Sequence, residues 1–373
     1  MTRSCARARR RREGNKPRSP PVVSRASIAI SALLGLVCGC VLARADESSW
    51  TGTILEEDDF WAPQNHDRHY THGIRFSGTS GDIHGDWQKP FDWVNGIVPA
   101  AFPRSAPPGA EPIARRYNLI VLGQNMYTPE NPALVNPDPR DRPYAGWLYG
   151  GAGLMQDTPG TNGGIDRFDE LALKLGLVGP GSLANYTQTR YHLLINVAPF
   201  QGWHAQLHDE PTLDLFYQKK WRFHGENCDG WGWDAIPQWD WRAGNVYDYA
   251  GVGGMLRVGR NLRADYGPPH IDLNTGADYI NKSRMSAGEW GFYGFIGNET
   301  RAVAHNIFLD GNDFKESAHV EKYPVVADLE AGLAVLYGHY RFSYTYIWRT
   351  PEFVHQTGAD HYGVLNLTVH LAF

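Results

Sequence analysis

Gly363-Val364-Leu365-Asn366-Leu367-Thr368-Val369-His370-Leu371-Ala372-Phe373 is the stretch whose reading decides the fold. Its odd positions are Gly363, Leu365, Leu367, Val369, Leu371 and Phe373, and its even positions are Val364, Asn366, Thr368, His370 and Ala372. Successive side chains of a strand point to opposite faces, so this alternation gives one apolar and one more polar face. A strand of that kind, ending on an aromatic residue, fits a wall with lipid on one side and a polar interior on the other. Working upstream, Phe342, Tyr344, Tyr346 and Trp348 alternate with Arg341, Ser343, Thr345, Ile347 and Arg349. Leu171, Leu173, Leu175 and Leu177 alternate with Glu170, Ala172, Lys174 and Gly176, and Leu213, Leu215 and Tyr217 repeat the pattern more loosely. Such segments sit between Gly, Pro, Asn and Asp turns. They predict an all-β fold, an antiparallel transmembrane β-barrel of roughly ten to fourteen strands, even in number. A soluble sandwich would alternate too, but has no need of a terminal Phe or so many rings.

Two stretches, 80–115 and 125–143, are rich in Pro, Gly, Asp and Asn and read as long loops. Residues 183–196 lack both Gly and Pro and predict a short loop helix, on which Gln188 and His192, four apart, share a face.

Composition removes other classes. Residues 1–45 hold ten Lys/Arg and the single acid Glu13; taking these from 35 basic and 40 acidic residues leaves 25 against 39, a net of −14 for 46–373. No nucleic-acid partner is expected of so acidic a segment, because phosphate requires a basic face. The one long apolar run, Ile28 to Leu42, lies near the N-terminus, which excludes a bundle of membrane helices. The 13 Trp, 19 Tyr and 15 Phe exclude a disordered chain. Arg-rich residues 3–25, that apolar run and the small-x-small Ala43-Arg44-Ala45 read as a cleavable signal peptide over 1–45, with Asp46 the new N-terminus. A single membrane anchor is the alternative, although about fifteen apolar residues are short for a span. Cys5, Cys38 and Cys40 leave with the signal, so Cys228 has no intramolecular partner and disulfides are not expected.

Chemistry concentrates in three places. Glu56-Glu57-Asp58-Asp59 precedes Asp67-Arg68-His69-Tyr70-Thr71-His72-Gly73, and four adjacent acids need either water or a cation. Hard oxygen ligands of this kind suit Ca²⁺, while a solvated strand end is the bland alternative. Gln188 and His192 are the second place, since an imidazole can act as a general base near neutral pH. His66, His69, His72, His204 and His208 compete for that role. The third is Gly123-Gln124-Asn125-Met126-Tyr127-Thr128-Pro129 with Asp141-Arg142-Pro143-Tyr144-Ala145-Gly146-Trp147, read as a loop re-entering a strand near the membrane interface. No zinc-type HExxH, nucleophile elbow or phosphate loop is present.

Taken in order, these segments resemble the outer-membrane lipid A 3′-O-deacylase family. The resemblance rests on Glu57-Asp58-Asp59-Phe60-Trp61, Asp67-Arg68-x-Tyr70-Thr71-x-Gly73, Gly123-Gln124-x-x-Tyr127-Thr128-Pro129, the Asp141–Trp147 string, Gln188-x-x-x-His192 and Gly202-Trp203-x-x-Gln206-Leu207-x-x-Glu210-Pro211. It runs from about residue 50 to the C-terminus. It implies a twelve-stranded outer-membrane barrel domain over 46–373 that removes the 3′ acyloxyacyl group of lipopolysaccharide, with Ca²⁺ and a histidine base. It also implies Asp58 and Asp59 beside the metal, Thr71 lining the site, and Gln188 and His192 flanking the reacting ester. A monomer is expected. Two departures stand out: Asp58 replaces the family's Asn, with a one-residue slip onto Glu57 as the other register, and Ala198 stands where an acid follows the histidine. Glu210 is the candidate substitute. The rival readings are a catalytically silent, porin-like barrel and another barrel lipid hydrolase such as a phospholipase.

Overall fold

A computed structural model describes residues 49–62, 68–97, 101–161, 164–226, 231–271, 277–281 and 290–372. The signal segment, Asp46, His66, Asp67, Cys228 and Phe373 lie outside the described residues. The twelve strands are β1 (Ser49–Asp58), β2 (His69–Ser80), β3 (Ala114–Thr128), β4 (Ala145–Thr158), β5 (Asp166–Val178) and β6 (Glu210–Glu226), then β7 (Trp231–Gly244), β8 (Tyr247–Arg260), β9 (Trp290–Asn306), β10 (Val325–Tyr337), β11 (Tyr340–Arg349) and β12 (Asp360–Ala372). Each pairs antiparallel with its neighbours in sequence, and β1 closes on β12 from Ser49↔Ala372 to Asp58↔Gly363. Closure leaves no unpaired sheet edge, the condition for backbone to cross hydrocarbon. The alternating segments around Leu171, Leu213, Phe342 and Gly363 are β5, β6, β11 and β12.

The two faces differ as the alternation requires. Ile54, Leu213, Val252, Ile296, Leu333 and Leu367 stand exposed outside, while Thr51, Thr53, Arg75, Asp214, Glu299 and Thr368 are buried inside. Trp231, Trp290, Phe292, Tyr337 and Tyr340 are exposed near the end where β1 begins and β12 stops, a ring belt suited to a membrane interface.

The lumen is filled. After β8 the chain folds back into the barrel: Asp265, Tyr266, His270, Ile271, Asp278 and Tyr279 are all buried. The Arg341 and Tyr293 side chains both donate to Asp265 at 2.9 Å, Arg75 donates to Asp278 at 2.6 Å, and the Ile271 amide donates to Glu57 at 2.6 Å. Buried charges persist only when paired and hydrogen-bonded, and these pairs hold the inserted segment to the wall.

Two helices lie against the outside of the barrel. Helix α1 (Lys89–Ile97) sits within the 80–115 stretch expected to be loop. That expectation is corrected: Phe91 and Val94, three apart, bury against Ile83, Ala101, Phe102 and the outward-facing Tyr217, overriding the loop-like composition. Likewise residues 125–128 of the other expected loop complete β3. Helix α2 (Ala184–Leu194) matches the predicted loop helix and lies at the opposite end, between β5 and β6.

Candidate active site at the outer rim

Local sequence explains how α2 reaches the wall. Ser182 and Ala184 rest on Gly146 of β4, where an added Cβ would stand 2.2 Å from both the Ser182 hydroxyl and the Ala184 methyl. Only glycine admits that approach. The Gln124 amide donates to the Ser182 carbonyl at 2.7 Å, and Met126, Tyr144, Ala184 and Trp203 form one apolar cluster. The Gly123–Pro129 and Asp141–Trp147 strings are thus the seat of the helix.

On that seat α2 turns its polar side inward. Its buried residues are Ala184, Gln188 and His192, 1%, 4% and 5% exposed, whereas Leu193 and Leu194 are 56% and 83% exposed. The Trp203 indole donates to Gln188 Oε1 at 2.7 Å. An indole N–H can only donate, so the amide orientation is fixed and Nε2 is the remaining donor. That Nε2 is buried and has no hydrogen-bond partner among the described residues. His192 Nδ1 lies 3.1 Å from the Ala198 carbonyl, and Phe200 packs edge-on at 4.9 Å. A carbonyl only accepts, so Nδ1 carries the hydrogen and Nε2 keeps the basic lone pair. The backbone at Ala198 therefore orients the imidazole where a carboxylate would have been expected. Glu210 does not substitute. Its carboxylate accepts from Asn245 Nδ2 at 3.2 Å, Asn312 Nδ2 at 3.1 Å and the Asp313 amide at 3.0 Å, which binds it to the β9–β10 connection.

The acidic motif divides between the two faces of β1. Glu57 points into the lumen, accepting from Tyr70 at 2.7 Å, so it is Asp58 that occupies the outer side. Asp58 pairs across the sheet with His72. Together with Glu56, two positions earlier on the same face, they bring ligand-type atoms within 4.8 Å of one another. His72 Nε2 is 3.7 Å from Glu56, and its Nδ1 is buried without a hydrogen-bond partner among the described residues. Asp58 caps the following turn through the Phe60 amide at 2.7 Å, and the Asp59 carboxyl stands beside it while accepting from the Arg68 amide at 2.8 Å. The Glu56 and Asp58 carboxylates, with Asp59 beside them, offer the hard oxygen atoms that suit a bound cation. Asp58 and Asp59, the expected metal-proximal pair, stand side by side. Glu56 and His72, neither among the expected ligands, join Asp58, Glu56 through its strand parity and His72 across the β1–β2 register.

Thr71 is the extra residue of a bulge in β2, where the β3 register jumps from Tyr70 to His72. Its hydroxyl lies 2.6 Å from that of Thr128. Met126, the β3 partner of His72, belongs to the cluster beneath α2, so helix and acidic group share one outer surface. Burial raises the Tyr191 hydroxyl above the usual phenol range, and the nearby charges of Asp58 and Glu56 raise it further.

Comparison with known proteins decides the family. The family model for outer membrane protein LpxR matches residues 28–371. The chain belongs to the LpxR family. The structure is similar to LpxR from Salmonella typhimurium, at 19% identity and a TM-score of 0.66, covering 86% of this chain and 99% of that one. It matches the β domain of the Bordetella autotransporter BrkA at 11% identity and a TM-score of 0.43, covering 88% and 99%. No curated protein sequence matches the chain. Membership in this family places the barrel in the outer membrane.

Proposed function

We propose that this LpxR-family barrel is a calcium-dependent carboxylic ester hydrolase that removes the 3′-linked acyloxyacyl group of lipid A. The observation that carries the reading is the inverted α2, which buries Gln188 and His192 against an apolar outer wall and leaves leucines outside. A helix buries polar side chains at such a place at a cost, unless they have work there. The family membership supports the substrate class, lipopolysaccharide of the outer leaflet. If both chain ends face the periplasm, as in bacterial barrels, then Asp58 and α2 stand at the outer leaflet, where the ester lies at the headgroup boundary.

His192 Nε2 takes the proton of an attacking water, with the Ala198 carbonyl holding the ring. Gln188 Nε2 offers a preset donor to the ester oxygen, where negative charge develops. Glu56 and Asp58, with Asp59 beside Asp58, would hold the Ca²⁺ through carboxylate oxygens, and the ion would supply Lewis-acid stabilisation of that same charge. Thr71 lines the site, and its hydroxyl is paired with that of Thr128 at 2.6 Å rather than with a base. The segment through Asp265 and Asp278 that fills the lumen weighs against a passive pore. The expected assembly is a monomer, exported by a cleaved signal peptide.

The test is to incubate the purified, folded barrel with lipid A and weigh the products by mass spectrometry, with calcium or with chelator. Loss of the 3′ acyloxyacyl mass only with calcium is expected. Chelator-insensitive release would remove the metal from the reading, and no release at all would remove the deacylase.

A further inference from the structure

We infer that an open groove on the outer wall, on the face below the rim cluster, binds one acyl chain of the lipid substrate, with Gly52 setting its depth. This rests on the deacylase reading above and adds where the chain lies and what limits its length. The groove has a volume of about 460 Å³ and is lined by Gly52, Ile54, Phe76, Leu122, Leu367 and Val369. Its size falls in the range of small-molecule pockets, and those side chains are hydrocarbon, so its occupant is apolar and slender.

Continuity with the rim identifies that occupant. Gly52, Ile54, Glu56 and Asp58 follow one another on the outer face of β1, and their β2 partners Gly78, Phe76, Ile74 and His72 do the same. A strand rises about 3.4 Å per residue, so the groove begins roughly 14 Å from Asp58 at Ile54 and reaches about 20 Å at Gly52. The groove therefore lies on the same outer face as the rim cluster, and a chain entering from the rim is the lipid that fits it.

Two residues shape the far end. A Cβ built on Gly52 meets nothing within 4 Å, so only the missing side chain keeps that position open. One built on Gly78 would meet the Trp50 ring at 3.4 Å, so the indole covers the wall beside it. The free space at Gly52 means that a larger residue there fills the groove without straining the sheet.

Gly52→Phe is the deciding variant, with Leu333→Phe on the far wall as control and heat-modifiable gel mobility to establish folding. Lipid A analogues carrying hexadecanoyl, tetradecanoyl or dodecanoyl groups at the cleaved position serve as substrates. Relative to wild type, Gly52→Phe is expected to lose roughly tenfold or more on the longest chain and little on the shortest, as for a pocket changed by one bulky group. Leu333→Phe should leave the chain-length profile flat. An equal loss on every length, or none, overturns the groove. A lipid with a diazirine at its acyl terminus separates this from the deacylase reading. Cross-linking to β1–β3 peptides in wild type and not in Gly52→Phe supports the site even if no ester is cleaved. Cross-links scattered evenly around the barrel mark ordinary boundary lipid and overturn it.

Discussion

Two helices rest on the outside of this barrel, one at each end, and they are built in opposite senses. Helix α1 buries Phe91 and Val94 in a dry cluster with Phe102 and Tyr217, and leaves Trp93 69% exposed. Helix α2 buries Gln188 and His192 and exposes Leu193 and Leu194. The first follows the ordinary logic by which apolar surface leaves water. The second inverts it, and does so on a glycine seat that lets the Ser182 and Ala184 side chains press against the wall. The difference separates a helix kept for packing from one kept for chemistry. Where burial runs against hydrophobicity and each polar group is oriented by a specific partner, the arrangement serves a reaction.

Breaking the second helix should therefore cost activity, and breaking the first should cost stability. The largest effect is expected from His192→Ala, a fall in turnover of roughly 10²–10⁴-fold with the barrel still folded. His204→Ala and His208→Ala in the same membranes should stay near wild type, and equal activity in all three would remove His192 from the reaction. Gln188→Leu should follow, at roughly 10²–10³-fold, the usual loss of one preset oxyanion donor. Trp203→Phe sharpens this point, because it removes only the donor that orients the amide; it should lower kcat more than it raises KM. Asp58→Ala should weaken calcium dependence more than Asp59→Ala, since Asp58 alone of the pair shares the cluster with Glu56 and His72. Titrating calcium against rate for both variants checks the order, and the reverse order would move the metal toward the Arg68 side. The smallest effect on chemistry is expected at α1. There Phe91→Ala should remove roughly 3–5 kcal/mol of local packing, read as lower resistance to heat or protease, with the rate per folded barrel unchanged.

Much of this contrast was legible in the residues. Period-two alternation marked β5, β11 and β12 because a wall between lipid and a polar lumen imposes a different chemistry on each face. The spacing of Gln188 and His192 marked one face of α2 because helical geometry is local. What stayed hidden depends on contacts between distant segments. Phe91 and Val94 sit among Pro, Gly and Asp, and only Phe102 and Tyr217 give them something to pack on. The lumen segment around Asp265 carries no periodicity, since its partners Arg257 and Arg341 lie on other strands. His72 joins Asp58 through the β1–β2 register, which a single sequence does not state. The oriented imidazole was hidden for a different reason. Its partner is the backbone carbonyl of Ala198, and no side-chain motif records a carbonyl.

The most direct measurement is the mass spectrum of lipid A from cells expressing the wild-type chain beside cells expressing His192→Ala, both barrels present at equal amounts in the outer membrane. Wild-type cells should show lipid A lighter by the 3′ acyloxyacyl group, and His192→Ala cells should show it intact. Intact lipid A in both, or the same loss in both, would contradict the assignment of α2 as the catalytic helix.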